Sequence, residues 1–132
     1  MKKFNTQVLI HLGDTDASGV IFFPRIFEKC LMVLEQFLKS CGLERSLMNE
    51  DMTFPVVSAH SQYFAPIKAY DELKCQMAVT RIGDTSITFN YKFTSSSGLL
   101  VAESNIIHVC LDTKKKVKKI LPEELIAHFE AP

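Results

Sequence analysis

Apolar and polar residues alternate one by one at the start of the chain, with Phe4, Thr6, Val8, Ile10 and Leu12 on one side and Asn5, Gln7, Leu9 and His11 on the other. A period of two predicts a strand over 4–12. Between Pro24 and Cys41 the spacing changes: Ile26, Phe27, Cys30, Leu31, Val33, Leu34, Phe37, Leu38 and Cys41 recur at three- and four-residue steps among Arg25, Glu28, Lys29, Glu35 and Lys39. This predicts an amphipathic helix of about five turns. Pro24 suits its first position, where a missing N–H costs nothing, and Gly42 suits the left-handed residue just past its end. Residues 43–53 are polar and mixed and read as a loop. Extended segments then follow at 54–66, 71–83, 85–96 and 98–112, with turn residues at Gly83-Asp84 and Ser95-Ser96-Ser97-Gly98.

One helix with a broad apolar stripe and about five strands can bury their faces only against each other. The expected fold is a two-layer α+β domain, one strand, one long central helix and then an antiparallel meander, in which the helix packs on a roughly five-stranded sheet. A length of 132 residues fits a single domain over 1–132. Apolar side chains on the outer face of the sheet would need cover, which predicts a homo-oligomer, a dimer or a tetramer.

Charge narrows the partners. Fifteen basic residues balance fifteen acidic ones, so no global field draws the chain to nucleic acid or to an anionic membrane. The one basic run, Lys114, Lys115, Lys116, Lys118 and Lys119, has no interleaved aromatics of the kind that stack on bases. It reads either as a solvated turn or as a contact for phosphates. No segment approaches the roughly 20 apolar residues of a spanning helix, and the amino terminus is apolar too briefly for a signal peptide, so a cytoplasmic location is the default expectation. Cys30, Cys41, Cys75 and Cys110 form no C-x-x-C pair and lie among apolar residues, as reduced structural cysteines do.

The polar loop before the helix, DTDASGVIFF over 14–23, carries the candidate chemistry. Asp14 and Asp16 can be turn and cap residues, cation ligands or catalytic carboxylates. An EF-hand is excluded because the later oxygen ligands and the closing Glu are missing. Ser58 and His60 share one face of the 54–66 segment and are candidates to line a ligand pocket. His108 and Cys110 also share a face, but two ligands make no zinc site, so no metal is expected.

With FPVV (54–57), YFAPI (63–67) followed by Asp71, and HVC (108–110) followed by the lysine-rich turn and Leu121-Pro122, the DTDASGVIFF stretch resembles the hotdog-fold acyl-CoA thioesterases of the hydroxybenzoyl-CoA thioesterase family. The resemblance covers almost the whole chain and is greatest to the dihydroxynaphthoyl-CoA hydrolases of menaquinone and phylloquinone biosynthesis. It implies hydrolysis of an aromatic acyl-CoA to free acid and CoA, without a cofactor. The alternatives are a short- or medium-chain aliphatic acyl-CoA or acyl-carrier-protein substrate, and an inactive acyl-CoA-binding domain. It further implies that Asp16 is the catalytic carboxylate, acting as nucleophile or as base on water, with Asp14 a structural cap. The backbone N–H of Phe23, at the positive end of the helix, would hold the oxyanion, and Gly19 would let the loop turn tightly enough to face it. Ser58 and His60 would touch the acyl group, and Lys115 and Lys116 the CoA phosphates. Some relatives carry Tyr or His where this chain has Phe23, so a side-chain proton transfer there is unavailable.

Overall fold

A computed structural model describes residues 1–132. Strand β1 (Lys3–Leu9) leads through one 3-10 turn (Leu12–Asp14) and the aspartate loop into helix α1 (Arg25–Ser40). After a loop come β2 (Met52–Thr53), β3 (Val56–Tyr63), β4 (Glu72–Ile82), β5 (Ser86–Thr94), β6 (Leu100–Val109), β7 (Leu111–Asp112) and a terminal helix α2 (Glu123–Glu130). The main sheet is antiparallel with order β1-β4-β5-β6-β3, and β2 pairs with β7 in a two-stranded ribbon.

The α+β class and the five strands are as the pattern predicts. The inward faces follow the alternation: Leu73, Cys75, Met77 and Val79 of β4 and Ile87, Phe89, Tyr91 and Phe93 of β5 are all buried. They meet Ile26, Cys30, Val33, Leu34, Phe37 and Leu38 of α1 in one core. Helix α1 has 16 residues, about four and a half turns. It is shorter than expected because Pro24 is its N-cap and Cys41 its C-cap. Gly42 takes a left-handed φ of 72°. The N–H groups of Gly42 and Leu43 then donate to the carbonyls of Lys39 and Leu38, the Schellman closure that a C′ glycine permits.

Four expectations are corrected. The first strand ends at Leu9, and Leu12 lies exposed in the 3-10 turn. The meander covers only β4, β5 and β6, because β3 crosses to the far edge beside β6. The outer face of the central strands is polar: Asn90 donates to Glu103 and Asn105 across β5 and β6, and Gln76 donates to Asn5 across β4 and β1. The exposed apolar side chains gather instead around the start of α1 and along β3, at Phe22, Phe23, Val56, Val57 and Phe64. Finally, α2 was not predicted, although Pro122, the acidic pair Glu123-Glu124 and the spacing Leu125, Ile126, Phe129 are helix-opening signals.

Candidate active site

The aspartate loop is built from its own backbone. The N–H of Asp16 donates to Val20 O, and the N–H of Gly19 to Asp16 O, closing a tight turn in which Gly19 has φ 85°. Few side chains tolerate that angle. Ser18 donates both its N–H and its hydroxyl to Asp16 Oδ1. These bonds, the hydroxyl foremost, hold the exposed Asp16 carboxyl below its ordinary range, so it is ionised at neutral pH.

Asp14 has a different environment. It is buried, pairs with the buried Lys29 Nζ of α1 at 2.7 Å and accepts the His11 N–H at 2.8 Å. Burial alone raises its pKa, but the Lys29 hydrogen bond and the His11 amide leave it lowered overall. Asp14 therefore ties the loop to the helix, while Asp16 is left on the loop's open side. The Asp14 carbonyl also accepts the Phe22 N–H at 2.7 Å, and Ile21 N–H reaches Ile67 O at 2.7 Å. The loop is clamped from both ends.

Asp16 lines a cleft of about 490 Å³ together with Val20, Phe23, Tyr63 and Phe64. Phe22 O accepts the N–H of Arg25 at 2.8 Å, within the first turn of α1. Across a trans peptide the N–H points opposite to the C=O. The Phe23 N–H thus faces away from the helix body, and it has no acceptor within the chain. An unpaired donor at a helix N-terminus beside an ionised carboxylate suits a carbonyl that must be attacked and carry negative charge.

Tyr63 is the residue that the sequence pattern did not single out as functional. Its hydroxyl donates to Phe23 O and so braces the start of α1 against the end of β3. Burial raises its pKa and keeps the phenol protonated as that donor. Its place inside the YFAPI stretch was the available signal.

The other candidates lie elsewhere. Ala59, Ser61 and Tyr63 of β3 face α1: Ala59 lines a chamber with Phe27, and Ser61 bonds the buried Ser104. Ser58 and His60 occupy the opposite face, exposed, and line no cavity with Asp16 in one chain. Lys115 belongs to a turn in which Asp112 Oδ1 accepts the N–H groups of Lys114 and Lys115, and Lys116 is left-handed at φ 59°. That turn follows the Val56 end of β3, whereas Asp16 lies at its Tyr63 end. Seven residue steps separate the two ends, about 23 Å. The four thiols are free; burial pushes Cys30 up to about 12 and Cys75 higher, which makes both poor nucleophiles.

The family model described as the thioesterase-like superfamily matches residues 10–129, and the chain belongs to that family. It is similar to a 1,4-dihydroxy-2-naphthoyl-CoA hydrolase of Synechococcus elongatus, 30% identical over 128 residues that cover 95% of this chain and 93% of the relative. An acyl-CoA thioester hydrolase of Escherichia coli is 27% identical over 130 residues, 96% of each chain. Among solved structures, Slr0204, a 1,4-dihydroxy-2-naphthoyl-CoA thioesterase from Synechocystis, matches with a TM-score of 0.90 at 27% identity, covering 99% of this chain and 100% of that one.

Proposed function

We propose that this chain is an acyl-CoA thioesterase that hydrolyses an aromatic acyl-CoA, of the dihydroxynaphthoyl or hydroxybenzoyl kind, to the free acid and CoA. The observation that carries the reading is the ionised Asp16 sharing a cleft with the unpaired Phe23 N–H. Relatives across the full length of the chain named as hydrolases of dihydroxynaphthoyl-CoA support the aromatic substrate.

In the reaction the thioester carbonyl oxygen takes the Phe23 N–H. Asp16 attacks the carbonyl carbon, forming a mixed anhydride that water hydrolyses after the thiolate has left, or it removes a proton from the water that attacks directly. The oxyanion collapses, the C–S bond breaks and the CoA thiolate leaves. A preorganised donor of this kind lowers the barrier by about 3 kcal/mol. Gly19 holds the turn, and Tyr63 braces the donor's helix end. The test is thiol release from a panel of aryl- and alkyl-CoAs by wild type and Asp16→Asn. The exposed substitution should leave the fold intact and lower kcat on aryl-CoAs by about 10³-fold; near-normal turnover by Asp16→Asn refutes the role.

The reading includes self-association. Pairing of β3 with β3 of a second copy, antiparallel about a two-fold axis, would set the partner's lysine turn beside the Asp16 cleft. Lys115 and Lys116 would then meet the CoA phosphates of a substrate held by the neighbouring chain, and Ser58 and His60 would lie at the seam between copies.

A further inference from the structure

The cleft that holds Asp16 is bordered by a short turn. Val20 and Ile67 line the cleft, and Lys68, next after Ile67, is bridged antiparallel to Val20. From there Lys68, Ala69, Tyr70 and Asp71 reverse the chain before β4. The turn is fastened from within and from β1. The Asp71 N–H donates to Lys68 O at 3.1 Å and the Lys68 N–H to Asp71 Oδ2 at 2.8 Å. The Tyr70 N–H donates to Ile10 O at 2.6 Å, and the Ile10 N–H to Asp71 O at 2.9 Å.

Tyr70 is the third residue of this turn and stands at φ 72°. A turn with a left-handed third residue takes Gly or Asn there, and a bulky side chain at that angle is strained. No packing within the fold offsets the strain: the Tyr70 ring is 72% exposed and belongs to none of the chain's aromatic pairs. Strain that packing does not explain points to a function. Two positions earlier, Lys68 is exposed and its ammonium is uncommitted, because the chain's two ion pairs are Arg25–Glu28 and Lys29–Asp14.

An open aromatic face and a free cation on one rigid turn suit an adenine nucleotide, whose base stacks on the ring while a phosphate meets the ammonium. The position suits it too. With the thioester carbonyl at the Phe23 N–H, the pantetheine arm of an acyl-CoA lies along the cleft and the nucleotide lies beyond its rim, where Val20 meets Lys68.

We propose that the Lys68–Asp71 turn receives the nucleotide end of CoA, with the adenine stacked on Tyr70 and a phosphate on Lys68. The inference rests on the thioesterase reading above. It complements the lysine turn of a second copy, which would bring charge to the phosphates but no ring to the base.

The experiment measures kcat and KM for thiol release from one aryl group carried on CoA and on pantetheine, which lacks the nucleotide, in wild type, Tyr70→Gly, Tyr70→Phe and Lys68→Gln. Wild type should prefer the CoA thioester. Tyr70→Gly should raise KM for that thioester roughly tenfold and leave the pantetheine thioester within about twofold. Tyr70→Phe keeps the ring and should keep the preference. Lys68→Gln should reduce it severalfold at low salt and less as salt screens the phosphate. The Tm of Tyr70→Gly should be unchanged or higher, because Gly adopts a left-handed φ without strain. An unaltered preference in Tyr70→Gly overturns the proposal, as does a lower Tm with both thioesters falling together. A smaller mass of Tyr70→Gly by light scattering makes the ring an interface residue and overturns it as well. Each of these leaves thioesterase activity standing. If wild type releases no thiol from either carrier, the thioesterase reading fails and takes this inference with it.

Discussion

At the scale of single residues, two aspartates two positions apart have opposite duties, and the difference lies in what each touches. Asp16 is exposed and bonded only within its own loop, whereas Asp14 is buried against Lys29. Ser18 sets the acid limit of Asp16. A carboxylate whose pKa is lowered stays charged above that value, so activity that needs the anion is kept at neutral pH and lost only as pH falls below the ordinary 3.8. Ser18→Ala removes the hydroxyl bond and lets the pKa climb back towards 3.8. The acid limb of the kcat/KM profile should move up, with the neutral plateau largely kept. A limb that stays in place in Ser18→Ala means that Asp16 is not the titrating group. The D-x-D spacing made this loop legible as a candidate site, and the family resemblance picked out the second Asp. Tyr63 was not legible, because a hydroxyl on an edge strand gains meaning only when the fold brings Phe23 O to it.

At the scale of elements, the 3.6- and 2-residue periods located α1 and the main strands because each buries one face against the other. Helix α2 escaped because it is only eight residues long and follows the lysine turn. Its contribution is tertiary: Phe129 is fully buried and stacks on Phe37 of α1, with ring centroids 5.6 Å apart. The position of β3 escaped because alternation gives a strand's faces and not its neighbours. The joint between loop and α1 carries a stability prediction. Lys29→Met leaves Asp14 buried without its cation, which should destabilise the fold by about 3 kcal/mol and loosen the loop that carries Asp16. Denaturant midpoints measure it; a change below about 0.5 kcal/mol means the pair is not a tether. The pH dependence has a fixed sign. Asp14 is lowered on folding, so the pair's stabilisation is present above the unfolded value of 3.8 and disappears as pH falls through the lower folded value. Wild type should lose that increment in acid, and Lys29→Met should show a flatter profile.

At the scale of the whole molecule the two edges of the sheet differ. Strand β1 carries Lys3, with Lys2 just before it, charges of the kind that discourage edge pairing. Strand β3, VVSAHSQY, carries no Asp, Glu, Lys or Arg, its side chains are almost all exposed, and Val56 and Val57 are more than half exposed. An edge so unprotected invites a second strand, and antiparallel pairing of two copies would build a ten-stranded sheet. The same geometry reconciles the lysine turn with the cleft, which lie at opposite ends of β3 within one chain. Light scattering after gel filtration should therefore give a mass of at least twice 14.9 kDa, and Val57→Lys, which places a charge on the edge that the seam would pair, should lower it to one chain. Charge reversal at Lys115 and Lys116 should leave the mass unchanged and raise KM for CoA substrates at low salt, an effect that shrinks as salt screens the phosphates. A wild-type monomer with full activity refutes both the β3 seam and a contribution from the partner's lysines. A dimer whose KM ignores the charge reversal retains the seam and removes the lysines from the site.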